Sequence, residues 1–363
     1  MSESFEIQAS QGRYTITIGH GLISAGQLPR PTNSGRIIDQ NVATLWPATS
    51  GPGDLQILAI EDNKTLETVA TLIGGMRAQG LQRASHLYAL GGGIVQDLAT
   101  FAASCYMRGI TWSYCPTTLL GMVDSCIGGK SSINVAGYKN IAGNIYPPTE
   151  VLIDVAFCST LAPQEHIAGL CEAVKICFAS RTNAFDRYMD LCAGTTPFLT
   201  PEKLEQVVVL SLGVKKVFVE EDEFDKGVRL LLNFGHTFGH AIEAASHFSI
   251  THGVAVGLGM LAELELARAL GLAPNGQVRI VRLETYLRSL LAEVEGLAHH
   301  LAHLDLDEAV RSLKADKKHG NGLYSMILAQ SDGFLERGTL PVTAELDARV
   351  RSLFARLQKG ELL

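Results

Sequence analysis

At the start of the chain apolar and polar residues alternate one by one, over Phe5 to Ala9 and again over Tyr14 to Ile18, with Gln11 and Gly12 between them. A period of two separated by a glycine turn predicts a β-hairpin. Short apolar runs follow at RIID (36–39), QILA (56–59), His86 to Leu90, Thr111 to Tyr114 and Val151 to Asp154, and these predict strands. Thr65 to Gln79 and Val95 to Cys105 place their apolar residues at helical spacing instead. Gly121 to Pro148 follows neither period; its glycines and isolated charges predict a functional loop. After Thr160 the helical period takes over. It predicts helices at Pro163 to Ser180, Pro201 to Glu220, Leu231 to Ser246, Val254 to Leu270, Val278 to Ala292 and Leu306 to Lys317, with a late strand at Tyr324 to Ala329. The pattern divides the chain into an α/β domain over residues 1–158 and a mainly helical domain over 159–363.

Length and composition agree with two domains: 363 residues, 47% hydrophobic and 18% charged, can bury two ordinary cores. A net charge of −7 argues against nucleic acid as a partner. Seven cysteines without a CxxC pair are expected to be reduced thiols. Neither a leader pattern nor an apolar run of membrane length is seen, so the expectation is a cytoplasmic protein without a membrane partner.

The densest chemistry lies in RLLLNFGHTFGHAIEAASHFSITHG (229–253). On one helix Asn233, His236, His240 and Glu243 would share a face, among buried leucines and phenylalanines. A lone helical histidine is more often a hydrogen-bonded core residue than a ligand. Two at i and i+4, with His252 shortly after, suit zinc or a similar metal if a carboxylate joins them. Glu172, three residues before Lys175 on an apolar helix, is the candidate carboxylate. Thr237 stands where a HExxH peptidase needs its glutamate, which disfavours that class.

The α/β half carries nucleotide signals. A predicted strand runs into Gly91, Gly92 and Gly93 and then a helix, the arrangement of a phosphate-cradling turn. Asp39 ends an early strand, where a carboxylate can bind ribose hydroxyls; Glu61 and Lys64 precede the first long helix, and Asp97, Thr117 and Thr118 follow the glycines. Asp124, Lys130, Lys139 and Asn140 lie in the glycine-rich segment, where two ammonium groups and an amide make a plausible phosphate receptor.

Taken together, GGG with Asp97, RGITWSYCPTTLL, VDSCIGGK, KN at 139–140, GLCEAVK and LNFGHTFGHAIE through His252-Gly253 resemble 3-dehydroquinate synthase, a family of sugar phosphate cyclases. The match spans roughly residues 35 to 330, with the motifs in the same order. The resemblance implies a fold shared with glycerol and iron-dependent alcohol dehydrogenases, bound NAD, and catalytic Zn2+ or Co2+. It also implies a homodimer that converts a phosphorylated keto sugar acid, 3-deoxy-D-arabino-heptulosonate 7-phosphate, to 3-dehydroquinate with release of phosphate, in the shikimate pathway.

By the same resemblance Glu172, His236 and His252 match the metal ligands, while His240 matches an active-site residue that is not a ligand. Asp39, Glu61, Lys64, Gly91, Gly92, Gly93, Asp97, Thr117, Thr118, Asp124, Lys130, Lys139 and Thr160 match positions that hold NAD. Arg108, Lys130, Asn140, Lys175, Lys215, Arg229, Asn233 and Lys317 match the catalytic pocket around substrate. Some positions depart from the family: Gln96 and Thr100 replace glycines, Val254 replaces a glutamate, and Cys126, Ser131 and Ser132 alter the VDSCIGGK run. The alternatives are a cyclase of specialised metabolism, of amino-dehydroquinate, 2-deoxy-scyllo-inosose or epi-valiolone type, or a metal-dependent polyol dehydrogenase of the same fold.

Overall fold

A computed structural model describes residues 2–24, 31–136, 138–194, 197–316, 319 and 322–363. Two compact units emerge, 1–161 with 200–223, and 162–199 with 224–363.

The first unit is built on a seven-stranded sheet in the order β1-β2-β9-β6-β5-β3-β4. The hairpin of β1 (Glu3–Ala9) and β2 (Gly12–Gly19) is antiparallel, as its alternation requires. The remaining pairs are parallel: β3 (Ser34–Asp39), β4 (Leu55–Ile57), β5 (His86–Gly91), β6 (Thr111–Pro116) and β9 (Glu150–Asp154). Ile37, Ile38 and the run Leu87 to Leu90 are buried, as expected of strands covered on both faces. Three helices connect them: α1 (Gln40–Leu45), α2 (Leu66–Ala78) and α3 (Gly93–Cys105).

The segment expected to be a loop, Gly121 to Pro148, is ordered differently. A π-helical turn over Gly121–Ser125 leads into a hairpin of β7 (Lys130–Val135) and β8 (Tyr138–Ile145). The polar residues of β8 are mostly exposed, so the segment lacks the apolar alternation that marks a half-buried strand.

At the end of β9 the fully buried carboxylate of Asp154 accepts backbone N–H bonds from Gly21, Ile23, Ser24 and Ala156 at 2.8–3.0 Å. Burial alone would raise its pKa, but the four donors together hold it below the ordinary carboxylate value.

Two helices of the second unit, α4 (Pro163–Ala179) and α5 (Ala184–Cys192), come next in the chain. Then α6 (Pro201–Glu221), capped by Thr200, returns to the first unit, where Glu220 and Glu223 accept from the backbone of Gln8 and Ser10. The expected boundary at 158/159 assigned this helix to the second half; periodicity identifies a helix but not the core on which it packs.

The rest of the second unit comprises α7 (His236–Ala245), α8 (His252–Ala269), α9 (Val278–Leu291), α10 (Leu297–Ala302), α11 (Leu306–Lys314), a hairpin of β10 (Leu323–Ala329) and β11 (Leu335–Pro341), and α12 (Ala344–Gln358). Its axis is α8, almost wholly buried, which lies against α4 and α7. At Gly253 and Gly259 these contacts are backbone to backbone. A side chain at Gly253 would come within 2.6 Å of the Cα of Ala168 on α4, and one at Gly259 within 2.9 Å of the carbonyl carbon of Gly235, just before α7. Among the described residues no helix is long and apolar enough to cross a membrane.

Candidate metal centre and nucleotide-binding turn

The expected helix from Leu231 to Ser246 is broken. Val228–Asn233 forms a 3-10 turn, Gly235 takes a left-handed conformation (φ 80°), and α7 begins at His236. Asn233 is therefore not on one continuous helix with the histidines. The cause is tertiary: a Cβ at Gly235 would lie 2.6 Å from the carbonyl oxygen of Val256 on α8. From α8 the buried carboxylate of Glu263 accepts the Gly235 N–H at 2.8 Å, which fixes where α7 starts.

On this frame Glu172 of α4, His236 of α7 and His252 of α8 converge, their ligand atoms all within 4.8 Å of one another. Nε2 of His236 lies 3.8 Å, and Nε2 of His252 3.6 Å, from the same oxygen of Glu172, whose side chain is fully buried. Donors on one tetrahedral zinc, with bonds of about 2.0–2.1 Å, stand roughly 3.3–3.5 Å apart, so these residues fit such an ion. Glu172 also pairs with Lys175, itself buried at 1% exposure. Nδ1 of His252 is 3.0 Å from Glu243. Burial disfavours its imidazolium, but the Glu243 hydrogen bond and the charges of Glu243 and Glu172 prevail and raise its pKa above the ordinary histidine value.

His240 is exposed beside the cluster, its ring centroid 5.4 Å from that of His236 and 5.8 Å from that of His252. Arg229 is buried, and Asn233 donates to the carbonyl of Leu230. Asn233 and Thr237 also line a cavity of about 290 Å³ in the second unit with Lys226, Ser325 and Arg337, none of which the sequence reading singled out. Lys317 lies outside the described residues.

In the first unit Gly91 ends β5, Gly92 stands at the N-cap and Gly93 opens α3, with no side chain capping the helix. Bare N–H groups at a helix start suit a phosphate. β3 and β5 are neighbours although β4 lies between them in sequence, so Asp39 and Gly91 end adjacent strands at the point where the strand order reverses. Asp39 accepts from Asn41 N–H, and burial raises its pKa despite that bond. Thr117 is buried, Thr118 accepts from Gly121 N–H, and Thr160 accepts from the Trp46 indole.

A second network joins four elements of this unit. Lys64 donates to Asp97 at 3.1 Å and to Asn140 at 2.7 Å; Ser132 bonds both as well. Burial raises the pKa of Asp97, opposed by the charge and hydrogen bond of Lys64 and by the bonds from Ser132. Lys139 lies 3.6 Å from Glu61. Lys215 of α6 pairs with Asp124, donating to both its side chain and its carbonyl. Lys130, at the start of β7, and Arg108, at φ 66°, are exposed. Gln96 is 4% exposed and exchanges two hydrogen bonds with Ser125. That pair ties α3 to the turn that carries Asp124.

Residues 54–168 match the family described as 3-dehydroquinate synthase N-terminal, and residues 169–319 the one described as 3-dehydroquinate synthase C-terminal. A 3-dehydroquinate synthase of Sulfolobus acidocaldarius is 37% identical over 298 residues, 80% of this chain and 82% of the relative. The crystal structure of a 2-deoxy-scyllo-inosose synthase, complexed with carbaglucose-6-phosphate, NAD+ and Co2+, superposes with a TM-score of 0.80 at 25% identity, covering 96% of this chain and all of the other. At 13% identity, a probable glycerol dehydrogenase from Sinorhizobium meliloti shares the fold, with a TM-score of 0.59 over 94% of this chain and 95% of its own.

Proposed function

The chain belongs to the 3-dehydroquinate synthase family, and from that premise we propose that it cyclises 3-deoxy-D-arabino-heptulosonate 7-phosphate to 3-dehydroquinate, with NAD and a divalent metal as its cofactors. The observation that carries this reading is the buried Glu172 with the Nε2 atoms of His236 and His252 turned to one of its oxygens. These three residues would hold the metal, and the turn at Gly91–Gly93 with Asp39 the dinucleotide. Held by these residues, a metal would supply Lewis acidity to a substrate hydroxyl, and a nicotinamide would supply reversible hydride transfer.

The remaining chemistry falls to orientation and proton handling by the chain. The net reaction expels inorganic phosphate and is redox-neutral, so no NADH is released. We assign the substrate carboxylate to Arg229, a buried guanidinium suited to bidentate binding. Lys175 lies against Glu172 and can donate a hydrogen bond to a ligand hydroxyl at the metal centre. His240 faces solvent next to the cluster, where its imidazole can take up and return a proton. The phosphate we assign to Lys130, Asn140 and Arg108. Fixed cations and amides of this kind hold a flexible sugar in one conformation, which elimination and ring closure both require.

The test is to incubate the purified protein with the keto acid phosphate, measuring phosphate, carbocyclic product and absorbance of NADH. Phosphate and carbocycle should appear in equal amounts without NADH. Stoichiometric NADH would favour the polyol dehydrogenase reading. Equally efficient cyclisation of glucose 6-phosphate or sedoheptulose 7-phosphate, which lack the carboxylate, would favour a cyclase of specialised metabolism.

A further inference from the structure

We infer that Glu243 is a positioning residue of the metal centre, holding His252 in the tautomer and orientation that present Nε2 to the ion. The inference rests on Glu172, His236 and His252 being the ligands. His252 has two ring nitrogens with different neighbours: Nε2 is 3.6 Å from Glu172, and Nδ1 is 3.0 Å from Glu243. Only one nitrogen of a neutral imidazole carries hydrogen. A carboxylate at Nδ1 keeps the proton there and leaves the Nε2 lone pair turned toward Glu172 and His236.

Glu243 stands seven residues after His236 and three after His240, so α7 carries all three on one side. The His240 ring stacks on His252 at 5.8 Å, bracing the same imidazole from another direction. α7 thus supplies a ligand, His236, and also the group that aims the ligand supplied by α8. A rival use of the same atoms exists, because the donor atoms of His240, Glu243 and His252 also lie within 4.8 Å of one another and could hold a second ion. The 3.0 Å separation is a hydrogen-bond length, and a His252 bridging two ions would have to give up both ring protons. The geometry favours positioning.

The experiment titrates the metal-free full-length protein with Co2+, followed by its visible absorption, and then competes with Zn2+. The wild type should take one equivalent. Glu243→Ala should take the same equivalent with affinity lower by about 10–100-fold and an altered cobalt spectrum. Glu243→Gln, which keeps an acceptor oxygen, should recover most of that affinity. Nitrogen-15 NMR of histidine-labelled wild type, loaded with Zn2+, should show His252 protonated at Nδ1, a readout that needs no variant to fold.

Unchanged affinity and spectrum in a folded Glu243→Ala would overturn the inference, as would coordination of His252 through Nδ1. A second equivalent in the wild type that Glu243→Ala alone abolishes would overturn it in favour of the second ion. His252→Ala tests the ligand set separately. If it retained full-affinity metal, the ligand assignment would fail, and the inference with it.

Discussion

Replacing Gly253 by alanine tests how tightly the helices fix the candidate metal centre. The added methyl would stand 2.6 Å from both the Cα and the carbonyl carbon of Ala168. Carbon atoms settle at about 3.5 Å or more, so α8 and α4 must part locally by about 0.9 Å. Both contact partners are backbone, and no side chain can swing away instead. His252 precedes the substituted residue, and Glu172 lies one turn beyond Ala168, so the separation falls on two of the three proposed ligands. Metal sites tolerate errors of only about 0.2 Å in ligand distance.

Two effects should follow: a loss of stability of about 1–3 kcal/mol from overpacking, and metal affinity lower by about tenfold or more, the order seen when a ligand loses its supporting contacts. Denaturant unfolding of the metal-free protein measures the first, and cobalt titration the second. Gly213→Ala is the control. That glycine lies inside α6 with nothing within 4 Å of an added methyl, and alanine there should stabilise by about 0.5–1 kcal/mol. Gly253→Ala with wild-type stability and wild-type metal affinity would refute the reasoning, because it would mean that the helices separate without cost.

Asp154 has a folded pKa below its unfolded value of about 3.9, so its stabilisation is present above that pH and is lost as pH falls through the folded value. Asp154→Asn should be less stable at neutral pH and show a shallower loss of stability on acidification, followed by circular dichroism. Chelator treatment should abolish phosphate release and lower the melting temperature, with both restored by Zn2+ or Co2+, since an ion that binds only the folded chain stabilises it. Of the seven thiols Cys105 alone is exposed, while burial pushes those of Cys126 and Cys158 up to about 12, so a thiol reagent should label one cysteine quickly in the native protein and the rest only on unfolding. Arg229→Ala should lose activity on the keto acid phosphate far more than Arg229→Lys, measured as kcat/KM.

The parts of this structure that were legible in the sequence are those set by local pattern. The apolar runs of β3 and β5 and the periodicity of α2 and α6 mark those elements within a few residues, and the glycines at 91–93 sit where strand meets helix. His252 does return to the stripe of α7, and Glu172 is the carboxylate beside it. The start of α7 was not legible, because it depends on Gly235 meeting α8, a contact between residues more than twenty positions apart. Nor could the helical pattern of α6 reveal that its apolar face packs in the first unit. The β7–β8 hairpin escaped because exposure of β8 removes the alternation that identifies strands. α12 also went unpredicted, although Leu346, Val350, Leu353, Phe354 and Leu357 recur at helical spacing and are buried. Glu243 was visible on the histidine face, but its partner belongs to the next helix.

The three proposed ligands come from three separate helices, two of them held against the third at positions where only glycine fits. In a zinc finger the chain orders around its ion, and binding and folding are one event. Here close packing of the helices at Gly253, Gly235 and Gly259 itself orders the three residues, so the ordering entropy falls on that packing and not on the ion. Loading should therefore bury almost no new apolar surface, and its heat-capacity change should be close to zero. A ligand that lets go stays poised within bonding reach of the ion, so recapture outruns escape. Exchange of the metal should accordingly be slow, timed by local opening of the packing between α7 and α8.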